Sequence, residues 1–150
     1  SGELHTSGAD NVEFLFSANK GMAARSIDRI ALGGEISRVT LTLKALMASR
    51  AGLPTIIFDE IDTGVSGRVA DSMGEIVAEM GEGMQVINIT HLPQVASKGE
   101  CHLLVYKTDG ASHIRKLTAD ERVQHIAAML SGSTITDAAM EQARQLLGTK

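Results

Sequence analysis

Tryptophan is missing from this chain of 150 residues, and only three Phe and one Tyr are present. So few aromatic faces leave little for a platform on which unpaired bases stack. One cysteine excludes a disulfide framework and a thiolate metal site, and Cys101, in the apolar context Cys101-His102-Leu103-Leu104-Val105, is expected to be core in a reducing compartment. No apolar run approaches the ~18 residues of a membrane helix, and no charged-then-apolar leader is seen, so a soluble protein, or a soluble piece of one, is expected. Clustered positive charge is also lacking. The net charge is -4 and the Lys and Arg residues are scattered, which argues against this piece as the main surface for nucleic acid. Proline is scarce, with two residues, yet both stand at informative places, before an apolar strand and after another.

With 43% apolar and 21% charged residues, the chain reads as one ordinary α/β domain over residues 1–150. Residues 12–17 alternate as a strand, and residues 21–30 read as loop. The glycine pair Gly33-Gly34 opens a helix in which Ile36, Val39, Leu43, Leu46 and Met47 share a stripe, with Leu41 opposite so that cover on both sides is expected, and which ends at Gly52 before Pro54. Thr55-Ile56-Ile57-Phe58 then reads as a strand buried on both faces that delivers Asp59 and Glu60 at its carboxyl end. A second amphipathic helix carries Val69, Met73, Ile76, Val77 and Met80, and the strand from Gln85 to Thr90 ends at His91. Strand, helix and strand in this order form a parallel βαβ unit. Asp59, Glu60 and His91 are therefore expected at one edge of the sheet, where open α/β sheets hold ligands. A short polar helix follows Pro93. Asp109-Gly110 marks a hairpin, Thr118 and Glu121 a capping box, and the last helix runs from about Asp137 to Leu147.

Adjacent carboxylates at a strand end suit two tasks: because Asp59 and Glu60 point in different directions by strand alternation, one can hold a cation while the other polarises a water. The plainer alternative is a loop cap at Asp59 and a solvated Glu60. For Gly33-Gly34 the plain alternative is an ordinary helix start, for Asp62 a helix-capping loop, and for His91 a polar loop residue. His5, His102, His113 and His125 have no spacing that suggests a metal and read as structural or solvated.

Four stretches in this order carry a resemblance: Gly8 to Asn19, Gly33-Gly34-Glu35-Ile36-Ser37-Arg38, Phe58-Asp59-Glu60-Ile61-Asp62-Thr63-Gly64, and Thr90-His91-Leu92-Pro93-Gln94-Val95-Ala96. Together they resemble the C-terminal half of an ABC-type ATPase head, and among such heads the RecN family, bacterial DNA repair relatives of the SMC proteins. The resemblance implies a mainly parallel sheet flanked by helices, with a C-terminal hairpin and helices. It also implies ATP and Mg²⁺ as cofactors of the complete head and a role in double-strand break repair and recombination. By the same resemblance Gly33, Gly34 and Glu35 match the signature motif that faces the γ-phosphate held by a second head. Asp59 matches the Mg²⁺-associated carboxylate, Glu60 the residue that polarises the attacking water, Asp62 to Gly64 the loop that crosses the head dimer, and His91 the switch histidine. The implied partners are the Walker A half of the same protein, a second head in an ATP-dependent homodimer, and DNA through the full-length protein, with no membrane.

Two departures qualify it. Leu32 stands where the family usually has Ser, and no Gly-x-x-x-x-Gly-Lys-Ser/Thr loop or long heptad segment occurs in the chain. The chain is thus expected to be a fragment that is inactive alone. Two other classes stay open: a metal-dependent hydrolase using Asp59, Glu60, Asp62 and His91 as ligands, and a non-catalytic interaction domain.

Overall fold

The computed structural model describes residues 6, 8, 10, 12–17, 21–26, 33–132 and 134–149. Leu32, and with it the first departure from the family pattern, lies outside the described residues, as does part of the 8–19 stretch. The expected strand at 12–17 is reduced to β1 (Leu15–Phe16), which pairs antiparallel with β2 (Arg25–Ser26) inside the segment expected to be loop.

Helix α1 (Gly33–Ala51) begins at the glycine pair. It stops where Gly52 takes φ 63, a left-handed conformation that glycine adopts without a Cβ clash, and the Leu53 amide then returns to the Ala48 carbonyl at 3.2 Å. The side of Leu41 is covered as expected, but the stripe opposite it is largely open. Leu41 and Ala48 are buried and Ala45 packs against them, whereas Leu43, Leu46 and Met47 are 44, 58 and 70% exposed. The helix has two apolar faces. The one with small residues lets α1 approach its neighbours closely, and the bulkier stripe is left in solvent.

Next come β3 (Thr55–Asp59), α2 (Gly67–Gly81) and β4 (Gln85–Ile89). The strands pair in parallel with Thr55 opposite Gln85 and Asp59 opposite Ile89, the expected βαβ unit. Alternation sends Ile56, Phe58 and Val86 to one face, where they meet Leu41, Ala48, Met73 and Met80 in the main core. The other face corrects the expectation of a strand buried on both sides: Ile57, Ile87 and Ile89 are exposed.

Beyond β4 the short helix α3 (Pro93–Ala96) is buried at Pro93 and Val95 rather than polar, because it is wedged between α2 and the helix that follows the hairpin. Gly74 of α2 makes this possible. A Cβ there would stand 3.1 Å from the Gln94 carbonyl oxygen and 3.3 Å from the Val95 Cα. Lys98 adds an ion pair to Asp71 at 3.0 Å.

Strands β5 (Leu103–Thr108) and β6 (Ala111–Lys116) form the hairpin. Asp109 and Gly110 both have positive φ, 52 and 80, as the tight two-residue turn requires. Cys101, expected in the core, is exposed, since the strand begins only at Leu103 and the residues before it run over the surface. Helices α4 (Ala119–Ser131) and α5 (Asp137–Leu147) pack together around Ile126, Ala127, Ala139 and Ala143. No helix among the described residues is long and apolar enough to cross a membrane.

Candidate nucleotide-facing edge

The parallel ladder of β3 and β4 continues one step past Asp59, because the Glu60 amide donates to the Ile89 carbonyl at 3.1 Å. Glu60 itself lies outside the strand with φ 47, a left-handed conformation unusual for a residue with a side chain. It is held there by its own carbonyl, which accepts from the Thr63 amide at 3.3 Å and the Thr63 hydroxyl at 2.9 Å. The direction of the Glu60 carboxylate is therefore set by a turn and not by the strand alternation that the sequence suggested. Asp59 and Glu60 are both exposed, and so is His91, two residues past the end of β4. The parallel register brings all three to the same carboxyl edge.

Asp62 behaves differently. It is 1% exposed, and its Oδ2 accepts a hydrogen bond from the Thr90 hydroxyl. Thr90 Oγ1 in turn accepts from the Leu92 amide at 3.0 Å. Asp62 Oδ1 is buried without a hydrogen-bond partner among the described atoms. The Asp62 side chain is thus committed inside the chain, and the loop presents the exposed Thr63 and Gly64 outward. Thr90 is a site residue that sequence reasoning did not single out. Its one signal was its place between an apolar strand and His91.

His91 is followed at once by α3, whose first turn is closed by the Val95 and Ala96 amides on the Leu92 carbonyl at 3.1 and 2.9 Å. The histidine is therefore carried on a short turn fixed from both sides. Farther on, His102 is half-buried with Nε2 2.5 Å from the Ala96 carbonyl oxygen. Burial lowers its pKa from the ordinary 6.5, against the opposing pull of that hydrogen bond.

The donor set decides between cations. Among the described residues no group of three or more His, Cys, Asp or Glu side chains is gathered to hold a metal ion, and Asp62 is turned inward to Thr90. That does not fit a protein cage for zinc or manganese. Exposed carboxylates at a strand end do fit Mg²⁺, which keeps several waters and takes one or two carboxylates beside substrate phosphates. The amino end of α1 places Gly33 and Gly34 where backbone N–H groups and the positive end of the helix dipole favour an anion.

No protein-family model matches the chain. Over 93% of its length it is 44% identical to the DNA repair protein RecN of Mycobacterium leprae, and over 97% it is 42% identical to that of Bacillus subtilis. It spans about a quarter of each, 24 and 26%. Among solved structures, a chain described under ATP-driven dimerization and DNA-stimulated activation of SMC ATPases aligns with TM-score 0.66 at 18% identity, covering 76% of this chain and 70% of that one. The SMC head domain from Thermotoga maritima aligns with TM-score 0.57 at 23% identity, over 66% of this chain and 37% of that domain. The chain is thus a homologue of the DNA repair protein RecN, matching about a quarter of its length, and it has the fold of an SMC-type ATPase head fragment.

Proposed function

We propose that this chain is the C-terminal part of an ATP-hydrolysing head that acts in DNA double-strand break repair and recombination, in the bacterial cytoplasm on nucleoid DNA. It is a single partial domain over residues 1–150. The observation that carries the reading is the placement of Asp59, Glu60 and His91, all exposed, at the carboxyl edge of the parallel β3–β4 pair. Mg²⁺ would be held there by Asp59 and would neutralise charge on the phosphates of ATP. Glu60 orients the attacking water and accepts its proton. His91 donates a hydrogen bond to the terminal phosphate. Gly33 and Gly34, with Glu35 beside them, offer backbone amides at the start of α1 to the nucleotide held by a second head, and the loop of Asp62 to Gly64 faces that head through Thr63 and Gly64.

The phosphate-cradling loop belongs to the Walker A half of the same protein, and its arrival also explains the bare apolar surfaces: Ile57, Ile87 and Ile89 on the sheet, and Leu43, Leu46 and Met47 on α1, await a cover. Alone, the chain lacks the cradle and its lysine and hydrolyses no ATP.

The test is made in the complete protein. Glu60→Gln is expected to retain Mg²⁺-ATP and to slow turnover by ~10²-fold or more, the scale of a lost positioned base. Asp59→Asn is expected to weaken nucleotide binding itself. Equal effects of the two on nucleotide affinity, or Glu60-dependent turnover by this chain alone, would overturn the proposal.

A further inference from the structure

The geometry points to Asp62 and Thr90 as a latch that fixes the turn carrying His91 to the loop that follows Glu60, which makes both of them positioning residues for hydrolysis. This inference rests on the ATPase reading above but not on any contact with nucleotide.

Glu60 and His91 sit on separate connections, one leaving β3 and the other leaving β4. Past the last backbone bond between the two strands, from the Glu60 amide to the Ile89 carbonyl, their relative position depends on what joins those connections. The Thr90 hydroxyl joins them. It donates to Asp62 Oδ2 on one side and accepts the Leu92 amide on the other, so a single oxygen spans the residues flanking His91. Asp62 is anchored in its own loop as well, since its carbonyl accepts the Val65 amide at 3.2 Å.

The carboxylate has little else to rely on. It is 1% exposed, and Oδ1 has no partner among the described atoms. A buried carboxyl group with one satisfied oxygen depends on the donor it has, because losing that donor leaves a second polar atom buried without a partner. A general base and a phosphate contact must be held to within a fraction of an ångström to act together. The latch supplies that constraint across the gap between the two loops.

In the complete protein, Thr90→Val removes the hydroxyl at nearly constant shape. Amide exchange at Leu92, followed without nucleotide, is expected to quicken about tenfold or more, since that N–H loses its acceptor. The kcat for ATP is expected to fall about tenfold with KM within about twofold, because the group that moves acts in the chemical step and not in holding ATP. Thr90→Ser, which keeps the oxygen, is expected to restore both to within about twofold of the parent. Unchanged Leu92 exchange in Thr90→Val, or a serine variant as impaired as the valine one, overturns the latch. If Thr90→Val does not fold, Asp62→Asn takes its place: an amide oxygen accepts the hydroxyl more weakly, so Leu92 exchange should rise by a smaller factor, and no rise overturns the inference. Turnover indifferent to Glu60→Gln defeats the ATPase reading instead, and the exchange measurement still decides whether the latch exists.

Discussion

The α4–α5 end of the molecule and the β3–β4 pair are built to different degrees of completion. At the helical end the described apolar residues of α4 and α5 are covered locally, although Ile135 in the connection between them is exposed. Ile126, Ala127 and Ala143 are fully buried, Thr118 and Glu121 close a reciprocal cap, and Arg122 ties the preceding loop by donating to the Gly99 and Glu100 carbonyls at 2.6 and 3.1 Å. The parallel pair is finished on one face only. Phe58 is 1% exposed, while Ile57, its neighbour in the strand, is 63% exposed. The difference teaches where stability is stored. Half of what this strand can contribute is realised only when another segment covers it, and the exposed stripe of α1 repeats the pattern.

The comparison breaks first at Phe58. Phe58→Ala is expected to lower stability by about 3–5 kcal/mol in urea denaturation, whereas Ile57→Ala in the chain alone should stay within about 0.5 kcal/mol. Joined to the rest of its protein, Ile57→Ala should rise to about 2 kcal/mol or more, and equal costs in the two settings would mean that nothing covers that face. Gly74→Ala probes the junction between the two regions. The added methyl would meet Lys98 Cγ, close to the backbone, at 2.9 Å and the Gln94 carbonyl oxygen at 3.1 Å, so overpacking of about 1–3 kcal/mol outweighs the roughly 1 kcal/mol gained in helix propensity. A higher melting temperature for Gly74→Ala would show that α3 is not seated on α2. The smallest effect belongs to the cap. Thr118→Ala is expected to cost about 1 kcal/mol. The Thr118 amide, and after it Arg115, hold the Glu121 carboxyl below its ordinary 4.5. A depressed carboxyl contributes stability above the unfolded pKa and loses it as pH falls through the folded one. Glu121→Gln should therefore flatten the stability profile below about pH 4.5, and an unchanged acid limb in thermal melts would contradict this.

Local chemistry was legible in the sequence and coverage was not. The hairpin at Asp109-Gly110, the capping box at Thr118, the helix from Asp137 to Leu147 and the parallel βαβ unit all follow from interactions within a few residues or from alternation along one strand. What periodicity cannot say is which apolar face has a neighbour. Leu43, Leu46 and Met47 form the bulkier stripe of α1, yet Leu41, Ala45 and Ala48 are the residues that pack. The same limit misplaced Cys101 and the outward isoleucines. At the site, the shared edge of Asp59, Glu60 and His91 could be read from strand order alone. The inward turn of Asp62 could not, because it depends on a hydroxyl 28 positions away in the chain.

Glu60 also sets a limit on how far this protein can be improved as a fold. With φ 47 it occupies a backbone basin in which glycine or asparagine rests more easily, and a side chain of glutamate's kind costs about 1 kcal/mol or more. Selection for stability alone would remove it. Neither replacement has both the reach and the charge of a carboxylate on two methylenes, so any gain in stability there forfeits the group proposed above to orient the water. Thermostable relatives are therefore expected to accumulate their improvements elsewhere and to leave this one unfavourable residue in place, as a trade between durability and chemistry fixed at a single dihedral angle.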